Sequence, residues 1–143
     1  MTVQAILAAK GGDVATIEPT THVGAAAKRL AERRIGALVV TGPEGRVIGI
    51  VSERDIVRAV AERGPSALDR PLTDVMTRTV ATCTHSDTIS SIMERMTEGK
   101  FRHVPVIEQG KLVGIVSIGD VVKHRLQEME REQAALRDYI QTA

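Results

Sequence analysis

The chain has 143 residues, 43% of them apolar, and a net charge of +1 with its histidines neutral. That length suits one domain with a real core, and the near balance of charge removes the basic excess that would draw nucleic acid or an anionic membrane surface. Aromatic residues are reduced to Phe101 and Tyr139, which excludes a row of stacking platforms for single strands, and the lone Cys83 excludes an internal disulfide or a cysteine-cluster metal site.

In chain order, Val3, Ile6 and Leu7 form a short amphipathic turn ended by Gly11-Gly12. Val14 to Ile17 reads as a strand stopped at Pro19, and Thr20 or Thr21 is placed to cap a helix over about Val23 to Arg33. Ala37–Thr41 and Val47–Val51 flank the turn Gly42–Gly45 and pair as a hairpin. The second of these runs has few polar positions and is expected to be covered on both faces. A helix then starts within Ser52–Asp55 and ends at Gly64-Pro65. The linker from about Pro65 to Met76 carries Leu68, Leu72 and Val75 and reads as packed.

The order then repeats. Val80 to Thr82 is a strand, Ser86 or Asp87 caps a helix through Met96, Val104–Ile107 and Leu112–Val116 form a hairpin, and a final helix starts near Asp120. From Gly45 to Val57 and from Gly110 to Val122, seven of thirteen positions are identical. Two β-α-β-β-α copies, each too small to bury a core alone, imply one pseudo-symmetric α/β (α+β) unit. The boundaries are 8–66 for the first repeat, 75–131 for the second and 132–143 for a helical extension. In the last helix Val122, Leu126, Met129, Gln133, Leu136 and Ile140 fall at 4-3-4-3-4 spacing, a coiled-coil-like stripe with one polar member. It serves either to lie on its own domain or to pack on a partner subunit.

The duplicated core is Gly-Ile-Val-Ser-x-x-Asp, at Gly49–Asp55 and Gly114–Asp120. A strand that turns into a helix there gathers free N–H groups, a hydroxyl and a carboxylate at one point. A helix N-terminus accepts phosphate, and a carboxylate accepts two bonds from a ribose diol. Ser-x-x-Asp before an apolar run is equally the signature of a self-contained capping box. Taken alone the motif favours the cap; duplication of the apolar lead-in is more than a cap requires, and the two roles are compatible.

Catalytic patterns are missing. The histidines at 22, 85, 103 and 124 lack metal-ligand spacing, and there is neither a nucleophile elbow nor a phosphate-loop Gly-Lys-Ser/Thr. His22 and His85, just ahead of helices, are expected at the surface, and Cys83, in an apolar run, is expected to be a small buried residue. No segment approaches the ~20 apolar residues of a membrane span. The start of the chain has no signal-peptide pattern, so a soluble cytoplasmic protein is expected.

Two such units ending in Gly-hydrophobic-Val-Ser-x-x-Asp, together with Arg-His-Val-Pro-Val at 102–106, resemble the cystathionine β-synthase (CBS) domain in its tandem form over about residues 8 to 130. The resemblance implies a non-enzymatic regulatory module without a catalytic cofactor or metal. It would bind AMP, ADP, ATP, NAD(H) or S-adenosylmethionine in two clefts between the repeats and signal to a regulated protein; homodimers of such pairs are common. Carried onto this chain, one cleft uses Ser117 and Asp120, with Gly12, Asp13 and Val14 near the base. The other uses Ser52, Arg54 and Asp55, with Arg78, Thr79 and Val80 near the base. Ile50 and Ile115 are aliphatic walls. The copies differ where Arg102-His103 replaces Gly36-Ala37 and where Gly119 replaces Arg54, so the clefts are expected to be unequal in their phosphate clamps. An interaction module with vestigial clefts remains the alternative.

Overall fold

The computed structural model describes residues 1–142. Helix α1 (Val3–Lys10) precedes a first unit of β1 (Thr16–Ile17), α2 (Val23–Arg33), β2 (Ala37–Thr41), β3 (Val47–Ser52) and α3 (Glu53–Arg63). Short 3-10 turns at Pro65–Asp69 and Leu72–Asp74 lead to a second unit of α4 (Ile89–Gly99), β4 (His103–Glu108), β5 (Lys111–Ser117) and α5 (Ile118–Thr142). In the first sheet β1 runs parallel to β2, and β2 antiparallel to β3. The second sheet is the antiparallel β4–β5 hairpin. Its Gln109-Gly110 turn holds both residues at positive φ (51° and 77°), the conformation a two-residue hairpin turn requires. Both hairpins break register at matching points, between Val40 and Thr41 and between Val106 and Ile107, so the repetition extends to irregularities.

The expected strand over Val80 to Thr82 is absent; only Cys83 bridges to Val106 in parallel. The reason is Pro105. In the first unit Val39 donates its N–H to the Ala15 carbonyl at 3.1 Å. Pro105 stands at the equivalent place in β4 and has no N–H to give. What survives on either side is Cys83 N–H to the Pro105 carbonyl at 3.0 Å and Ile107 N–H to the Cys83 carbonyl at 2.8 Å. Cys83 is buried as expected, and its thiol is pushed up to about 12 by burial, with Asp87 raising it, Arg95 lowering it and Glu108 raising it.

Neither expected helix cap is used. The residue before α2 is His22, which makes no side-chain capping bond. The linker does that work, with Val23 N–H donating to the Arg70 carbonyl and Leu72 N–H to the Thr21 carbonyl, each at 2.9 Å. At α4 the cap is Thr88, whose hydroxyl accepts from Ser91 N–H, rather than Ser86 or Asp87. There the first residues of the chain dock in the same way: Ile89 N–H donates to the Met1 carbonyl at 3.1 Å and Val3 N–H to the Asp87 carbonyl at 2.9 Å. β3 is fully buried at Gly49 and Val51, while Ile48 and Ile50 on its other face are partly buried, Ile48 packing against the first core. His22 is exposed, whereas His85 is half-buried beside Glu108.

Two apolar clusters result. One joins α2, β2, β3 and α3 with Leu72 and Met76 of the linker. The other joins α4, β4, β5 and α5 with Val3, Ile6 and Leu7 of α1. The sequence reading made α1 a mere amphipathic turn; it is a core helix of the second unit, with Ile6 fully buried. Accordingly Ile6→Ala is expected to lower stability by about 2–5 kcal/mol, as is Ile92→Ala in the same cluster. Urea unfolding of the two variants measures this, and a change within about 0.5 kcal/mol for Ile6→Ala, the size expected of a surface residue, would remove α1 from the core.

Candidate functional site

Both Ser-x-x-Asp motifs are reciprocal caps. Asp55 Oδ2 accepts from Ser52 N–H at 2.9 Å and from its hydroxyl at 3.1 Å, and Ser52 Oγ accepts from Asp55 N–H at 3.3 Å. Ser117 and Asp120 repeat this at 2.9 and 3.2 Å. The motifs diverge in what meets the carboxylate. Thr77 Oγ1 donates to Asp55 Oδ1 at 3.2 Å and Arg58 stands 4.0 Å from it. Asp120 is instead gripped by Lys10 from the end of α1, with Nζ 2.6 Å from Oδ2.

The first motif opens onto a cleft of about 550 Å³, within the size range of small-molecule sites. Of the residues singled out by sequence, Gly36, Ile50, Ser52, Arg54, Asp55, Thr79, Val80, Arg102, His103, Ser117 and Gly119 line it. This is the cleft expected of the first motif, and residues expected of the other, Ser117 and Gly119, reach it as well. The N-terminal ends of α3 and α5 converge on one space, and the residues that distinguish the copies (Arg54, Gly119, Gly36, Arg102, His103) meet there. Gly12, Asp13, Val14, Arg78, Ile115 and Asp120 do not line it. Arg78 turns its guanidinium to the Thr73 carbonyl at 3.0 Å. A Cβ on Gly12 would come within 2.7 Å of the Val113 carbonyl oxygen, so this segment lies tight against β5.

The sequence reading missed Arg58, Thr77, Lys100 and Phe101, all of which line the cleft. Arg58 is one helical turn beyond Arg54, a spacing that places both on one face. Lys100 ends α4 in the left-handed conformation (φ 58°), and its carbonyl accepts from Arg54 Nη1 at 3.3 Å. The cleft thus holds four permanent cations, Arg54, Arg58, Lys100 and Arg102, against the two carboxylates of Glu53 and Asp55. His103 sits beneath Gly36, where an added Cβ would lie 3.0 Å from the imidazole Cε1. Burial lowers the imidazole below its ordinary value; Glu53 raises it, Lys10 lowers it, Asp120 raises it and Arg102 lowers it. His103 is therefore neutral at pH 7.

A model of the CBS domain matches residues 9–62 and 72–127. The chain belongs to the CBS domain family. This CBS pair is 49% identical to a CBS-domain containing protein from Agrobacterium tumefaciens, with a TM-score of 0.85 over 87% of this chain and 92% of that one. It is 32% identical to a CBS domain protein from Pyrobaculum aerophilum solved in complex with AMP, with a TM-score of 0.74 over 84% and 89% of the two chains. Among curated relatives, a mitochondrial CBS domain-containing protein of Arabidopsis thaliana is 36% identical over 81% of this chain, which spans only 58% of that protein's length. No helix among the described residues is long and apolar enough to cross a membrane.

The Lys10 grip has a pH signature. Burial works to raise the Asp120 carboxyl, but the bonds from Lys10 and Ser117 outweigh it and hold it below its usual value. A depressed folded-state value contributes stability above the ordinary carboxylate range and loses it as the pH falls through the folded value. The stability gap between the parent and Asp120→Asn is thus expected to be full above about pH 5 and to close below about pH 4. Urea midpoints taken across that range measure it; a gap independent of pH would show that the bonds from Lys10 and Ser117 do not outweigh burial.

Proposed function

We propose that this CBS pair is a regulatory module that binds a phosphate-bearing adenosine ligand, AMP in the first instance, in the cleft between α3 and α5. Occupancy is passed to a partner protein as a change of shape, without catalysis. The observation that carries this reading is the convergence of two helix N-termini and four cations on one concave surface; helix N-termini and arginines are the groups that bind phosphate best. Asp55 faces the same space and would take the ribose hydroxyls, exchanging part of its cap for them. Ile50, Val80 and Ala81 offer aliphatic surface for the base, with Phe101 the one aromatic lining residue. ADP, ATP and NAD(H) share this chemistry. S-adenosylmethionine carries no phosphate and gains least from the cations. The AMP complex of the Pyrobaculum relative supports the ligand class.

AMP at 100 times its dissociation constant is expected to add about 2.7 kcal/mol of stability, read as a rise in melting temperature. Arg102 is exposed, so Arg102→Ala is expected to weaken AMP about tenfold, as loss of a charge-assisted bond does, while leaving the unliganded melting temperature in place. No shift with any adenosine phosphate would favour a module with a vestigial cleft, and a larger shift with S-adenosylmethionine would overturn the phosphate assignment.

The neutral imidazole supplies a second expectation. A bound phosphate draws a proton onto His103, so affinity for AMP should rise as the pH falls toward the lowered range of this buried imidazole. Isothermal titration from about pH 8 to about pH 6 checks the sign, and His103→Gln should flatten the dependence. A dependence that survives His103→Gln would assign it to the phosphate itself.

A further inference from the structure

α5 outruns the domain it belongs to. Only Val121 and His124 are buried along it, and every described residue beyond Glu130 is exposed. The apolar stripe read from the sequence therefore does not lie on its own domain. Val122, Leu126, Met129, Leu136 and Ile140 are between 43% and 65% exposed. A helix about 37 Å long at 1.5 Å per residue with such a face uncovered is an interaction surface. The question is what covers it.

The charges flanking the stripe answer it. With Leu126, Gln133 and Ile140 at one seam position and Val122, Met129 and Leu136 at the other, the flanks are Lys123, Glu130 and Arg137 on one side and Arg125, Glu132 and Tyr139 on the other. In a parallel pair of identical helices in register, each flanking residue faces the partner residue five positions later. Arg125 then faces Glu130, and Glu132 faces Arg137. Both pairs are of opposite charge, and two-fold symmetry makes each of them twice. Arg125 already touches Glu128 on its own helix, at 3.1 Å, while Glu130, Glu132 and Arg137 have no ion pair among the described residues.

An antiparallel pair covering the same apolar residues does the opposite. It sets Lys123 against Arg137, Glu130 against Glu130 and Glu132 against Glu132. Sliding it by a heptad relieves those clashes, but only by leaving an end of the stripe uncovered.

We propose that the face of α5 is covered by the same helix of a second copy of this chain, as a parallel, in-register coiled coil running from about Val122 to Ile140. Gln133, the one polar seam residue, then meets its own copy, an arrangement that fixes register. This goes beyond pairing of the globular CBS units, because the contact lies on the extension that only the second repeat carries.

The test uses the full chain with Leu136→Cys. Leu136 is 58% exposed, so the fold survives the change, and the native thiol at Cys83 is buried and protonated. Mild oxidation is expected to give a disulfide-linked dimer through position 136 alone. Sedimentation of the uncrosslinked chain is expected to show a dimer that Glu132→Arg weakens about tenfold and that Glu132→Arg with Arg137→Glu restores. A monomer at tens of micromolar protein, absence of the position-136 crosslink, or failure of the double exchange to restore the dimer would each overturn the proposal.

Discussion

Each half of this molecule is closed by a segment that belongs, in sequence, to the front of the other. The linker before the second repeat places Leu72 and Met76 in the first core. The residues before the first repeat place Val3, Ile6 and Leu7 in the second. The two contacts are tight at matched glycines. A Cβ on Gly49 would lie 2.7 Å from the Met76 sulfur, and one on Gly114 2.7 Å from a Leu7 methyl. Side chains at these points would separate the segments from the strands they cover. The exchange also carries the site. Mutual bonds between Ile50 and Thr77, at 2.8 and 2.9 Å, bring the chain from Thr77 to Ala81 along the cleft, next to the motif that starts α3. At the other end, the same docking of α1 delivers Lys10 to Asp120 and occupies the second carboxylate.

The repeat, the hairpins, the helices and their order could be read directly, because apolar periodicity and turn glycines are local signals. The failures came where a distant segment replaced a local one. Thr20, Thr21, Ser86 and Asp87 are sound capping residues, but linker backbone took over the start of α2, and at α4 the neighbouring Thr88 caps beside the docked Met1 carbonyl. The missing strand at 80–82 turned on one proline in another strand. Its effect is legible only once Pro105 is aligned with Val39 and the lost N–H is traced to its acceptor.

For the cleft, the motif residues were visible by doubling, and so was the inequality of the copies. Their arrangement was not. A sequence repeat suggests that each copy keeps its own equipment, whereas the fold turns the ends of α3 and α5 toward a shared space. Lys100 and Phe101 carry no pattern that distinguishes them from solvent-facing or core residues. They enter because α4 ends in a left-handed turn at Lys100, whose carbonyl meets Arg54 at the cleft.

Gly36 and Arg102 occupy equivalent places in the two repeats, and both line the same cleft. Two separate, identical half-size chains could not produce that combination. Symmetry would give them two arginines facing each other or two glycines leaving a gap. Joining the copies in one polypeptide freed each position to change alone, so that one side could become a space and the other the charge and imidazole that fill it. The asymmetry of this pocket is thus a chemical dividend of covalent duplication, open to a fused pair and closed to a symmetric dimer of single units.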